Sequence, residues 1–158
     1  MSDKRGASLL VLFVIAGLIG LGAFGLLAWR AVTIGQMDPQ DATQRFTDAL
    51  ADIESRTPLV ALDASGRFAR RASSRTGGAR PARLYVLAYR APEQRFVSAD
   101  VPLWFYKVKG PAVGYALRET NFDLQALGLT ATDLEQAGAG VVLDETRANG
   151  DRVLAWTR

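Results

Sequence analysis

The chain has 158 residues, 19 Lys and Arg against 16 Asp and Glu, and neither Cys nor His. Those two absences exclude disulfides, thiol catalysis, Ser-His-Asp triads, His-ligated haem and His-bound zinc. The net charge of +3 is segregated, with six arginines and no acid from Arg67 to Arg83 and six acids and no base from Glu119 to Glu145.

A nucleic-acid face needs basic residues interleaved with aromatic or base-reading partners. The arginines here stand among Ala, Ser and Gly instead, so no nucleic acid is expected as a partner.

Residues 1–8 read as a short polar tail and 9–30 as a transmembrane helix. The uncharged run is Gly6 to Trp29, 24 residues between Arg5 and Arg30. As a helix it would be about 36 Å long, enough for a bilayer core of about 30 Å. A cleaved signal peptide has a shorter apolar core and a small-residue exit. Here the exit is Trp29-Arg30, and no Cys follows for lipidation. The run therefore reads as an uncleaved anchor. Lys4 and Arg5 before it, and Asp38 and Asp41 after it, put the N-terminus in the cytoplasm by the positive-inside rule. That places the chain in a bacterial inner membrane with its following domain in the periplasm. Ala16, Gly17, Gly20 and Ala23 fall on one arc of the helix, a seam where a second membrane helix packs closely.

Residues 31–37 read as a short connector continuing the helix, and 38–158 as one membrane-proximal domain. Asp38-Pro39 opens a second helix to about Arg56, with Phe46, Ala49, Leu50 and Ile53 on the core face. Leu59–Asp63 and Arg67–Arg70 read as two short strands about a turn. Residues 72–83 form a loop rich in Arg, Gly and Pro. Arg67, Arg70, Arg71, Arg75, Arg80 and Arg83 are the candidate contacts to an acidic partner or to anionic lipid.

Leu84–Arg90 is apolar on both faces and reads as an interior strand, with Arg95–Ala99 returning beside it. The segment from Val101 to Lys109 reads as a further strand, with Trp104, Phe105 and Tyr106 on alternating faces. Trp104 and Tyr106 on one face are candidate partner contacts. Asn121–Leu127 reads as a helical turn. Thr130 caps a helix over Ala131–Ala137, and Gly138 stops it. The chain closes on a hairpin, Val141–Thr146 with Arg152–Thr157. Asn149-Gly150 predicts a two-residue type I′ turn, pairing Glu145 with Leu154 and Leu143 with Trp156.

Lys4-Arg5-Gly6-Ala7-Ser8-Leu9-Leu10 resembles the leader junction of type IV pilins and minor pseudopilins. The resemblance covers about the first 30 residues and implies cleavage before Ala7, a continuous helical stem and an α+β head. It departs from the family at Val11, where a Glu is usual, and at Pro39, inside the stem.

The expected fold is a single N-terminal transmembrane helix plus one α+β domain with a mostly antiparallel sheet. No catalytic, metal or cofactor motif is present: GxGxxG, the P-loop and GxSxG are all missing. The expected function is therefore a non-catalytic accessory, assembly or stabilising subunit of a larger membrane complex. Its partners are the lipid bilayer and a membrane protein, with self-association open. Two alternatives are a membrane-anchored enzyme or ligand-binding domain using Lys107, Lys109 or Glu119, and a minor pilin-like protein.

Overall fold

The computed structural model describes residues 32–62, 68–70, 80–107, 124 and 126–158. The apolar run and its seam of Ala16, Gly17, Gly20 and Ala23 lie outside them, as do Arg67, Arg71 and Arg75. No helix among the described residues is long and apolar enough to cross a membrane.

The chain divides after Ala31. The connector expected at 31–37 is instead a strand, β1 (Val32–Gln36), paired antiparallel with β5 (Arg95–Pro102) from Val32↔Ala99 to Gln36↔Arg95. Val32, Thr33 and Ile34 are three consecutive β-branched residues, stiff at χ1 and favoured on a pleated surface. A pairing strand was available for them, so they do not prolong a helix. The domain accordingly begins at Val32.

Helix α1 (Pro39–Ala51) follows with Asp38 at its N-cap and Asp41 in its first turn. It ends one turn earlier than expected, at Asp52, and buries Ala42 and Phe46. Two short strands, β2 (Val60–Leu62) and β3 (Phe68–Arg70), pair antiparallel as predicted.

Strand β4 (Arg83–Arg90) is the centre of a five-stranded antiparallel sheet of order β1-β5-β4-β7-β6, where β6 is Gly140–Thr146 and β7 is Arg152–Thr157. Its doubly apolar sequence is explained by two cores. On one face Leu87, Tyr89, Phe96 and Leu154 meet Ala42, Phe46 and Ile53. On the other, Leu84, Val86, Ala99, Val101 and Ala155 meet Leu103, Tyr106, Leu124, Leu129 and helix α2 (Ala131–Ala137).

The strand expected over Val101–Lys109 is corrected. Strand β5 stops at Pro102, and residues 103–107 are helical. Pro102 has no N–H for a ladder, and its partner Arg83 is the first residue of β4. With no strand left to pair, the chain turns, and the Leu103 N–H donates to the Ala82 carbonyl at 2.9 Å.

The closing hairpin forms with a different register: Asp144 opposes Leu154 and Leu143 opposes Ala155. The turn is a three-residue loop closed by Arg147 N–H to Asp151 O at 2.8 Å, with Gly150 alone at positive φ (87°). A Cβ at Gly150 would also lie 2.9 Å from the Ala91 Cβ of the β4–β5 turn. A bulge between Val141 and Leu143 then sends those two side chains to opposite faces, Val141 beside Leu154 and Leu143 beside Ala155.

Candidate functional site

Backbone bonds at one end of the sheet gather three of the predicted contact residues. The Ala82 and Arg83 N–H groups both donate to Arg158 O, and the Leu103 N–H donates to Ala82 O, so the backbone at Arg83 and Trp104 meets at this end, with Arg80 two residues before Ala82. Val32, opposite Ala99, begins β1 at this same end. Trp104 is 55% exposed, its ring edge-on to Phe105 at 5.7 Å. Arg83 donates through Nε to Asp100 at 2.6 Å, and that bond holds the guanidinium above its ordinary pKa. Arg80 is exposed.

Tyr106 is not a surface residue. A helical turn in place of a strand rotates it inward, and it is only 6% exposed, packed with Leu103 and the α2 face. Arg70 is exposed on β3, where Nη1 reaches Asp133 Oδ1 at 3.1 Å.

Asp133 belongs to the capping box of α2. The Thr130 N–H and hydroxyl donate to Oδ2 at 2.8 and 2.7 Å, and the Asp133 N–H donates back to Thr130 Oγ1 at 3.1 Å. The Thr130 hydroxyl, its backbone N–H and then Arg70 hold the Asp133 carboxyl below its usual range. A lowered folded-state pKa means the carboxylate stabilises above the unfolded value, about 3.9. That contribution disappears as pH falls through the lower folded value. Thr130→Ala is therefore expected to cost about 1 kcal/mol at neutral pH and less at pH 3. Urea unfolding at the two pH values checks this, and an equal loss at both would refute it.

The remaining carboxylates on the sheet face arginines: Asp144 with Arg152 at 3.3 Å, Glu145 with Arg147 at 3.3 Å, Glu93 with Arg90 and Arg95. Lys107 is on the surface, paired with Glu135 at 2.7 Å, while Lys109 and Glu119 lie outside the described residues. Among the described residues no group of His, Cys, Asp or Glu has the arrangement of a metal site.

A groove the sequence reading did not anticipate runs between α1 and the β1 edge. Thr33, Gly35 and Ser98 line it from the sheet, and Arg45, Asp48 and Asp52 from the helix, around a volume of ≈ 480 Å³. The run of β-branched residues at Val32–Ile34 was the signal for β1, which contributes Thr33 and Gly35 to it.

Comparison of the chain with protein-family models, with curated proteins and with solved structures gave no match.

Proposed function

We propose that this is a non-catalytic, single-pass membrane protein, an accessory subunit that braces a larger membrane complex from the bilayer surface. The supporting observation is the position of β1. Its first residue, Val32, comes two positions after Arg30 closes the 24-residue uncharged run. Two extended residues reach about 7 Å. So short a tether is in keeping with the membrane-proximal domain of this reading. The end of the sheet where β1 begins also carries Trp104, an exposed aromatic suited to a wet interface, and the first residue of β4, Arg83.

This reading places the run in the inner membrane with its N-terminus in the cytoplasm and the domain in the periplasm. The seam at Ala16, Gly17, Gly20 and Ala23 would dock the partner's membrane helix. The helical stem implied by the pilin resemblance is interrupted at Val32, which favours the accessory-subunit reading over that one.

A mild-detergent pull-down of the C-terminally tagged full chain tests the proposal. A stoichiometric membrane partner is expected with the native sequence, lost with Gly20→Leu and reduced with Trp104→Ala. Recovery of the chain without another protein, at native expression, would overturn it.

A further inference from the structure

The two edges of the five-stranded sheet are built differently. On β6 the Val141 N–H donates to Ser55 O at 2.8 Å and the Val141 carbonyl accepts from the Leu59 N–H at 3.2 Å, so the segment after α1 lies along that edge. A bulge between Val141 and Leu143 and the charges of Asp144 and Glu145 protect it further. Strand β1, Val-Thr-Ile-Gly-Gln, has no charge, no proline and no register shift against β5.

The outward groups of β1 can be assigned. Just past the strand, the Met37 N–H donates to Gln94 O at 2.9 Å, one step beyond the Gln36↔Arg95 pair. Inward and outward groups alternate along an antiparallel edge, so Thr33 and Gly35 also bond β5. The N–H and C=O groups of Val32, Ile34 and Gln36 then point away from the sheet, and no described residue bonds them. Ile34 is at the middle of this row, with its side chain 50% exposed on the face where Val32 packs against the core. Thr33 and Gly35 point to the other face and line the groove beside α1.

That groove is one-sided in charge. Asp48, Asp52 and Arg45 line it, and Asp41 lies on the same helix stripe, so three carboxylates stand with one guanidinium. None of the four is in an ion pair among the described residues. Asp48 takes the Gln44 amide at 2.7 Å. The last turn of α1 has no basic residue, so Asp48 and Asp52 stand at the negative end of the helix, where a carboxylate is unfavourable. A local cost with no compensation in the domain fits a surface completed by a cationic partner.

We infer that β1 takes a basic, extended segment of a partner protein as a further strand, antiparallel like the other pairs of this sheet. The alternation of faces sets the pattern of that segment. The residue opposite Ile34 exchanges both backbone bonds with it and is aliphatic, covering the exposed isoleucine. Its two neighbours, opposite Thr33 and Gly35, point to the α1 side and are Lys or Arg. A side chain built at Gly35 would meet nothing within 4 Å, so the stem of a long base has room to lie over Gly35 towards the carboxylates. The ladder supplies affinity for any strand, and the acidic helix selects a basic one. A second copy of β1 is disfavoured, because it brings no base and adds a second set of carboxylates.

The probe is a dye-labelled peptide, Lys-Val-Lys-Val-Lys-Val-Lys, titrated with the full chain in neutral detergent and followed by anisotropy. Its control carries Glu for every Lys. Ile34→Pro deletes an outward N–H and leaves the β5 ladder intact, and Ile34→Ala keeps that N–H. Binding of the Lys peptide and not of the Glu peptide is expected. Ile34→Pro should weaken it at least about tenfold and Ile34→Ala much less. Asp48→Asn with Asp52→Asn should weaken it about fivefold at low salt.

A thiol pair fixes the site, since the chain has no cysteine of its own. Gly35 faces an added strand at a non-hydrogen-bonded position, where Cα atoms are about 4.5 Å apart, within disulfide reach. The peptide with Cys for its third residue should therefore link to Gly35→Cys and not to Thr146→Cys on the β6 edge. Equal binding of the Lys and Glu peptides would overturn the inference. So would binding unchanged by Ile34→Pro or by the two Asn substitutions, equal linkage at Gly35 and Thr146, or no binding by chains whose protease resistance shows them folded. Oxidation of Ile34→Cys without peptide to twice the 17.1 kDa chain mass would give the edge to a second copy and overturn it as well. No step involves the apolar run, so this inference and the accessory-subunit proposal fail separately.

Discussion

Phe46→Ala is expected to cost about 3–5 kcal/mol, the usual loss for emptying a buried aromatic site. Helix α1 has 13 residues, and Asp38 makes no side-chain capping bond. A helix of that length is marginal by itself in water, so its packing face decides whether it forms. Phe46 is the largest side chain on that face, at 1% exposure. Its ring meets Phe96 edge-on at 6.2 Å, and the Arg152 guanidinium lies 4.7 Å above it. Alanine removes both contacts and leaves a void between α1 and β5. Arg152 would keep its ion pair to Asp144 but lose the aromatic surface. Against a typical domain stability of about 5–15 kcal/mol, this loss takes a large share of the margin. Urea unfolding of the full chain in mild detergent, followed by Trp fluorescence, should show the midpoint fall sharply. Phe46→Leu should recover much of the loss. A change below about 1 kcal/mol would mean that α1 is not docked through this residue.

Much of this arrangement could be read from the residues before any coordinates. The doubly apolar Leu84–Arg90, the Thr130-x-x-Asp133 box and the strand pair around Asn149-Gly150 each carry a local signal strong enough to survive tertiary context. What could not be read depended on partners distant in sequence. Val32–Gln36 becomes a strand because β5, sixty residues on, offers it a ladder. Trp104 and Tyr106 separate onto surface and core because Pro102 ends that ladder and the chain coils. The bulge at Val141 flips Leu143 to the far face, and no periodicity marks a bulge in advance. For the candidate site, the arginines and Trp104 were visible as residue types. Their gathering at one sheet end needed the Ala82–Arg158 bond. The place of β1 at the end of the strand order was hidden entirely, because a connector has no place in a sheet.

Leu134→Ala tests the opposite face of the sheet, where the expected cost is again roughly 3–5 kcal/mol. Helix α2 has only seven residues, too few to hold a helical shape without support. Its capping box contributes at one end, and its buried side chains are Ala131, Leu134 and Ala137. Two of those are methyl groups, so Leu134, fully buried, provides nearly all the apolar contact. Several surface links depend on where α2 sits. Arg70 reaches Asp133, Lys107 reaches Glu135, and the buried Thr157 hydroxyl donates to Gly138 O at 2.9 Å. Ion pairs on exposed positions hold little by themselves, about 0–1 kcal/mol each, and cannot keep the helix in place once its anchor is gone. The loss should therefore spread. Hydrogen exchange is expected to accelerate across Ala131–Ala137 and into Gly140–Leu143, while α1 on the other face stays protected until global unfolding. Acceleration confined to α2, with unfolding free energy unchanged, would show that the capping box suffices and that Leu134 is not what holds this layer.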